Sequence, residues 1–445
     1  MGTNRNTIEK FSIGHALLRP YVCYIFKIFF KTKSLNYDKV PKDEIIIFAL
    51  NHQNALMDAL ALLATVKKQP VFMARADIFN KKTISNILTF FKILPIYRIR
   101  DGKESLRNND AIFQKTIDVL KNKNGLVILP EGSHLGFRRL RPLKKGISRI
   151  ALQAEESNDY KLNIKIIPVG LDYSNYINFG SKLFVYFGDA INVSDYYEPY
   201  KENQPRGMNL LRERVEAELK KYIIHIESVD YYDMIDFLRY FFLPEMNVKK
   251  GKQPDQFFAE QKIVNKLNQF VTEKPEIANQ LNEKVGSFKS ILQKLNLRLW
   301  VTQKPSYSVF GIILQSLLMI GLLQVFLYGA LFNIIPFTIP VKLTKKVKDP
   351  QFLSSFRSVI GLLLFPVFYI VLAIICGFLV GFGWPTLLFV ISLPLTGLFA
   401  FHYYIGFKKL WAKIRYTYLN WKKNSDIIEL KNLYNQIKEF GKHVF

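Results

Sequence analysis

Residues 45–58 have the sequence IIIFALNHQNALMD, in which an apolar run is followed by a polar turn and then by a second apolar pattern. The first run is short and rich in β-branched residues, which is typical of a buried β-strand. The pattern after Asn54 is helical. A strand that leads through a turn into a helix is a building unit of α/β sheets, and here the turn places His52 at the carboxyl end of the strand.

The same alternation continues to about residue 190. The predicted strands are Ile45–Leu50, Val71–Ala74, Ile96–Arg98, Leu126–Leu129, Ile164–Leu171 and Leu183–Phe187. The helical patterns between them lie at about 55–66, 79–91, 104–122 and 146–156. Together they predict an α/β fold, a mixed and largely parallel sheet flanked by helices, followed by a helical arm and C-terminal transmembrane helices. Ligands of such sheets bind beyond the carboxyl ends of the strands.

Composition divides the chain into five predicted parts. They are an N-terminal interfacial amphipathic segment at 1–43, an α/β domain at 44–200, a helical region at 201–304, a membrane region at 305–407 and a basic cytosolic tail at 408–445. The first part is apolar and basic and contains Pro20, which favours a helix in the membrane interface. A helix packed on the following domain is the alternative. The helical region shows no catalytic spacing.

Two runs, 305–341 and 358–407, contain no Asp, Glu, Lys or Arg and predict membrane helices. The second run fits two spans that turn near Gly381. The first is long for one span and short for two, and Pro336 and Pro340 interrupt its end. Lysines follow both runs, and basic flanks stay in the cytosol. We therefore expect a hairpin in the first run and a multi-pass membrane protein whose α/β domain lies on the cytosolic face.

The chain has 62 Lys and Arg against 36 Asp and Glu, a formal net charge of +26. Such an excess indicates a polyanionic partner. Because much of the excess flanks apolar segments, we expect an anionic membrane rather than nucleic acid. Cys23 and Cys376 are far apart and no CxxC spacing occurs, so neither a disulfide framework nor a metal site is expected. The N-terminus lacks the pattern of a secretory signal.

His52 and Asp58 form the first candidate catalytic pair. A histidine can take a proton from an alcohol near neutral pH, and it does so best when a carboxylate holds its other ring nitrogen. In a regular helix the offset of six residues would separate the two side chains around the axis. The pair can therefore meet only if His52 lies in a turn before the helix. The alternative is that Asn51 and Asn54 cap the turn and His52 is incidental.

Three further blocks follow later strands. Arg98 and Arg100 alternate on a strand, so both can face a phosphate, or can be surface arginines. After the next strand comes the block Glu131, Gly132, Ser133 and His134, which leads into a basic cluster that includes Arg138 and Lys144. The block and the cluster can orient a polyol phosphate together, or the cluster can form a solvated loop. Gly146 then opens a helix whose N-terminus suits an anion. The apolar block Ile166–Leu171 can form an apolar wall of the site or a strand of the core.

The four blocks, in this order and at strand ends, resemble those of the glycerolipid acyltransferases, the glycerol-3-phosphate and lysophosphatidate acyltransferases. The similarity covers about residues 44–190. The resemblance implies that His52 is the general base, that Asp58 orients it, that Arg98 binds substrate phosphate, and that Glu131 and Gly132 contact the glycerol phosphate. Arg100, Ser133, Arg138 and Lys144 are further candidate substrate ligands.

Two departures from the common family pattern are informative. Five residues rather than four separate His52 from Asp58, and the third block has Ser133 and His134 where Thr and Arg are common. Both features resemble the branch of fungal-type glycerol-3-phosphate acyltransferases. The absence of the usual arginine leaves phosphate binding by this block open, and Arg138, Arg139 or Lys144 can substitute.

The resemblance thus implies an O-acyltransferase that transfers a fatty acyl group to glycerol 3-phosphate by direct attack, with His52 as base. The donor is a thioester of CoA or of acyl carrier protein, and no cofactor is required. A lysophosphatidate or other lysophospholipid acyltransferase is the nearest alternative. A non-catalytic lipid-binding protein is another alternative, and the joint presence of the four blocks disfavours it.

Overall fold

The computed structural model describes residues 7–96, 103–134, 136–246, 248, 253–442 and 444, without the side chains of 103–111 and 442. Its first part alternates strands and helices. The strands are β1 (Phe30–Leu35), β2 (Ile46–Leu50), β3 (Val71–Arg75), β4 (Ile93–Ile96), β5 (Leu126–Ile128), β6 (Lys165–Tyr173), β7 (Ser181–Phe187) and β8 (Ile191–Asn192). The helices are α1 (Ile13–Phe29), α2 (Leu56–Leu63), α3 (Lys82–Phe90), α4 (Lys103–Lys121), α5 (Gly146–Glu156), α6 (Tyr197–Glu202) and α7 (Gln204–Lys221).

The strands form one mixed sheet in the order β1-β7-β6-β2-β5-β3-β4, and β8 pairs with β6. The pairs from β6 through β2, β5 and β3 to β4 are parallel, whereas β7 runs antiparallel to β6. β1 is parallel to β7. The carboxyl ends of β2, β5, β6 and β3 therefore meet at one edge of the sheet, which is where the polar blocks follow.

The sheet separates two apolar cores, because side chains of a strand alternate between its faces. Ile47 and Ala49 of β2 enter a core with α4, α5 and α7. Phe48 and Leu50 enter the other core with α1 and α2. The α/β architecture expected from the sequence, a mixed and largely parallel sheet between helices, is confirmed.

The chain consists of two compact units. The first consists of Met1–His225, Lys250–Gln261 and Val347–Ser358, and the second of Ile226–Lys249, Lys262–Lys346 and Val359–Phe445. The remaining helices are α8 (Tyr232–Phe241), α9 (Gln253–Glu273), α10 (Pro275–Lys294), α11 (Leu299–Thr302), α12 (Val309–Gly321), α13 (Leu323–Leu343), α14 (Leu353–Val380), α15 (Trp384–Trp421) and α16 (Ser425–Lys442).

Three helical stretches have the length and hydropathy of membrane spans, among the residues described: Leu323–Lys346, Pro350–Val380 and Trp384–Trp421. The turn expected near Gly381 is present, since α14 ends at Val380 and Gly381 has a φ of +91°. The first apolar run is divided at Leu322 into a short helix and a helix of spanning length. Whether this run returns to its starting side of a membrane stays a prediction.

Several boundaries differ from those expected. Phe30–Leu35 is a strand of the sheet, so the sheet begins inside the segment predicted as interfacial. α6 and α7 lie in the unit that holds the sheet, although α7 falls in the region assigned to the helical arm. β4 (Ile93–Ile96) begins three residues before the predicted strand Ile96–Arg98, whose last two residues lie outside the described residues. Pro95 is tolerated in this strand because β4 lies at the edge of the sheet.

Candidate active site

His52 lies in the turn between β2 and α2, as its spacing from Asp58 requires. The turn needs an unusual backbone: Ala55, directly before α2, has a φ of +45°, a conformation that L residues rarely adopt. Asn51 fixes the start of the turn, because its side-chain amide exchanges two hydrogen bonds with the main chain of Leu171 on β6. The chain thus folds back so that the first turn of α2 faces His52.

Asp58 is completely buried and holds His52 in place. Its Oδ2 lies 2.9 Å from Nδ1 of His52 and accepts the main-chain N–H groups of Gln53 at 2.8 Å and Asn54 at 2.7 Å. Its Oδ1 accepts the hydroxyl of Tyr173 at 2.8 Å. Because this carboxylate is surrounded by donors, we assign the ring proton to Nδ1, which leaves the lone pair of Nε2 available to accept a proton.

Glu131 is buried beside the pair, yet both its oxygens are taken by main-chain donors. Oε1 accepts the N–H of His52 at 2.6 Å, and Oε2 accepts the N–H of Arg141 at 3.0 Å. Burial raises the pKa of Glu131 to about 7, although these two hydrogen bonds oppose the shift. In the structure Glu131 therefore binds the main chain at two places beside His52, and its contact with substrate stays a prediction.

Gly132, Ser133 and Lys144 lie together around the turn after β5. Gly132 has a φ of +71°, which favours glycine. The N–H of Lys144 donates to the carbonyl of Pro130 at 2.8 Å, and its exposed side chain passes over Gly132. The hydroxyl of Ser133 accepts from the guanidinium of Arg141 at 2.6 Å. A loop that carries Arg141 and Lys144 beside the turn that contains His52 suits an anionic substrate.

Arg138 is placed differently. Its side chain is buried, its guanidinium donates to the carbonyl of Tyr173, and its Nε lies 3.5 Å from Oδ1 of Asp172. These contacts tie the basic loop to the end of β6. Arg138 therefore helps to fix the loop, and its role in binding substrate phosphate stays a prediction. Arg98 and Arg100 lie outside the described residues.

His134 contacts the imidazole of His52 edge to face, with ring centroids 5.1 Å apart. Its pKa is lowered from the ordinary value, first by burial and then by the neighbouring His52. His134 is therefore held in its neutral form near pH 7. It lies where the common family pattern has an arginine, so the ring gives this site a neutral wall in place of a charge.

Sequence reasoning missed the residues that complete the support of the pair. Tyr173 binds Asp58, and Tyr176 donates its hydroxyl to the side-chain oxygen of Gln53 at 3.1 Å and accepts an amide hydrogen of Asn54 at its carbonyl, 2.9 Å away. Both follow the apolar block Ile166–Leu171, so a tyrosine at the end of that strand was the available signal.

Among the described residues, no cluster of three or more His, Cys, Asp or Glu is arranged to hold a metal ion.

Comparison with known proteins finds acyltransferases among the proteins that this chain is similar to. Residues 31–172 match the family model Acyltransferase. Glycerol-3-phosphate O-acyltransferase 1 of Saccharomyces cerevisiae is 23% identical over 196 residues, covering 43% of this chain and 25% of that protein. Glycerol-3-phosphate O-acyltransferase 2 of the same yeast is 32% identical over 123 residues, covering 27% and 16%. These matches confirm the resemblance to the glycerolipid acyltransferases.

The chain spans at most a quarter of the length of these two relatives. Among solved structures, the 1-acyl-sn-glycerophosphate (LPA) acyltransferase PlsC from Thermotoga maritima matches with a TM-score of 0.34 and 17% identity, over 46% of this chain and 76% of that one.

Proposed function

We propose that the protein is a membrane-bound acyltransferase that transfers a fatty acyl group from a thioester donor to glycerol 3-phosphate, forming lysophosphatidate. The observation that carries this proposal is the His52–Asp58 pair. Three further hydrogen bonds hold the carboxylate of Asp58, so that it keeps the imidazole in one orientation. Three features support glycerol 3-phosphate as the acceptor: the similarity to the two yeast glycerol-3-phosphate O-acyltransferases, the five-residue spacing and the Gly-Ser-His turn.

In the proposed mechanism, Nε2 of His52 removes the proton of the acceptor hydroxyl as its oxygen attacks the thioester carbonyl. The C–O bond forms, the C–S bond breaks, and the proton passes from the imidazolium to the leaving thiolate. Asp58 stabilises the imidazolium between these steps. The N–H groups of Gln53 and Asn54 already bind Asp58, so they are not the donors that stabilise the oxyanion.

Substrate phosphate is proposed to lie against the basic loop after β5. Arg141 and Lys144 supply positive charge beside the turn, and Arg98 and Arg100 are proposed to add to it. Holding the phosphate there makes the attack effectively unimolecular. The donor is proposed to be acyl-CoA or acyl carrier protein. Three apolar helices of spanning length support a membrane location, and the cytosolic position of the acyltransferase domain is part of the proposal.

The test is an acyl-transfer assay on the full chain in lipid nanodiscs, with acyl-CoA or acylated acyl carrier protein as donor and glycerol 3-phosphate or lysophosphatidate as acceptor. Products are identified by mass spectrometry. We expect lysophosphatidate from glycerol 3-phosphate. In His52→Ala, kcat should fall by about 10²–10⁴-fold, because a general base contributes that much. The exposed His402 of α15 provides the control, and His402→Ala should retain its activity.

Three results would contradict the proposal in different ways. Use of lysophosphatidate alone would replace the acceptor. Near-normal turnover by His52→Ala would remove the base from the mechanism. No product from either acceptor or either donor would favour a lipid-binding protein that keeps the fold without catalysis.

A further inference from the structure

Residues 347–358, called the connection below, are the last part of the segment between α13 and α14 together with the first six residues of α14. They belong to the same compact unit as the acyltransferase sheet, although α13 and α14 have spanning length. They lie far beyond the part of the chain that matches the family model. Within the unit, the connection contacts the catalytic turn (residues 51–55) directly at one place and reaches it through His134 at another. Both contacts involve side chains that neither the motifs nor the comparisons assign to the site.

The first contact is a buried hydrogen bond to the turn itself. The hydroxyl of Ser354, in the first turn of α14, donates to the side-chain oxygen of Asn54 at 2.6 Å, and both residues are fully buried. Asn54 in turn donates its main-chain N–H to Asp58. A hydrogen bond between two buried polar groups is costly to break, so Ser354 restrains the residue that orients the catalytic carboxylate.

The second contact reaches His52 through His134. The ring of Phe352 lies edge to face against His134, with centroids 4.6 Å apart, and His134 lies in the same way against His52. Asp349 adds its carboxylate 3.8 Å from Nε2 of His134 and begins the short helical turn Pro350–Phe352 by accepting the N–H of Gln351 at 3.0 Å. The connection therefore fixes both the carboxylate side and the imidazole side of the pair.

We propose that residues 349–354 of the connection are part of the acyltransferase site, and that Ser354 is a positioning residue that holds the catalytic turn through Asn54. The inference rests on the proposed function and deepens it. Ser354 touches no reacting atom and acts on the geometry of Asp58 and His52. Loss of its hydroxyl should therefore lower the rate of the chemical step and leave substrate affinity unchanged.

The neighbouring serine provides a matched control. Ser355 is also buried, at 6% exposure, but its hydroxyl has no hydrogen-bond partner among the described residues. Ser354→Ala and Ser355→Ala therefore remove the same atom from adjacent positions of one helix turn. Only the first removes a bond to the catalytic turn, so general effects of altering α14 appear equally in both variants.

The experiment compares these two variants of the full chain in nanodiscs. For Ser354→Ala we expect kcat to fall about tenfold, as for loss of one buried hydrogen bond that orients a catalytic group, with the KM of both substrates within about twofold of the unchanged protein. Ser355→Ala should change neither value by more than about twofold. Hydrogen exchange of the peptide 51–58 should be faster in Ser354→Ala alone.

Equal losses of kcat in both variants, or none in Ser354→Ala, would overturn the proposal, as would an increase of KM without a change in kcat. Hydrogen exchange does not depend on turnover. If the unaltered protein transfers no acyl group at all, the proposed function fails, whereas the exchange comparison still decides whether Ser354 holds the turn.

Discussion

Burial makes the negative charge of Glu131 unfavourable, although both oxygens of its carboxyl group accept main-chain N–H groups. Its pKa is raised to about 7 from an ordinary value of 4.5, chiefly by burial. Between these two pH values the folded protein retains a proton that the unfolded chain releases. Increasing pH therefore lowers the free energy of unfolding across this window, and the contribution present below about pH 4.5 is lost as the pH passes 7.

Glu131→Gln tests this linkage. The amide cannot titrate, and its nitrogen cannot accept the N–H of Arg141, so we expect lower stability than that of the unaltered protein at pH 5. The difference should shrink by up to about 3 kcal/mol as the pH rises to 8, because only the carboxyl loses its favourable neutral form. The measurement is the midpoint of thermal unfolding of both proteins at a series of pH values. A constant difference across the range would show that Glu131 does not titrate there.

Individual residues of the site could be predicted to different extents. His52 and Asp58 were identifiable because a local turn brings them together, and the spacing itself required the turn. Tyr173 is separated from Asp58 by 115 positions, and its role depends on two strands lying side by side. The hydrogen bonds of Arg138 and Glu131 to main-chain groups could not be predicted, because they depend on how distant segments pack around the turn.

At the scale of elements, β6 is the strand on which the site depends most. It pairs with β2 along the residues that precede the catalytic turn, and it carries Tyr173 at its end. Gly170 lets the chain after α7 approach this strand, because a Cβ at this position would lie 1.7 Å from the main-chain oxygen of Tyr222. The apolar block that looked like a simple wall therefore includes a glycine required by close backbone packing.

Gly170→Ala should lower the free energy of unfolding by about 2 kcal/mol or more, because the clash is with main-chain atoms that cannot rotate away. Gly146→Ala in the same unit is the control: no atom lies within 4 Å of its added Cβ, and the expected change is within about 0.5 kcal/mol. Thermal unfolding of the two variants checks this. Equal stability of both would mean that the approach of Tyr222 to β6 is not obligatory.

Elements with a strong apolar pattern were predictable, and elements without one were not. β2, β5 and β7 were placed to within a residue or two because their runs are apolar and β-branched. β1 lies at the edge of the sheet and has the sequence FKTKSL, with four consecutive polar residues between Phe30 and Leu35. Its composition therefore does not predict a strand, which forms by pairing with β7. β8 has two residues, too few for any periodicity.

For the whole molecule, the spans set a topology that can be tested. α14 and α15 each have the length of a span, so the turn between them should lie on the opposite side of the membrane from Lys348 and from the C-terminal helix α16. In a background of Cys23→Ser and Cys376→Ser, an impermeant maleimide applied to the cytosolic face of sealed vesicles should label Lys348→Cys and Glu429→Cys. Phe382→Cys should react only after the vesicles are opened. Labelling of Phe382→Cys in intact vesicles would contradict this arrangement.

The pairing of β1 with β7 has a consequence for how the domain is made. Its two partners, Phe30–Leu35 and Ser181–Phe187, are separated by about 150 residues of chain. At synthesis rates of about 5–20 residues per second, the synthesis of β7 follows that of β1 by roughly 8–30 s. Throughout that interval β1 is an unpaired edge next to the apolar helix α1. The nascent chain therefore benefits from early contact of α1 with a bilayer or a chaperone, which would keep this edge from aggregating until the sheet can close over it.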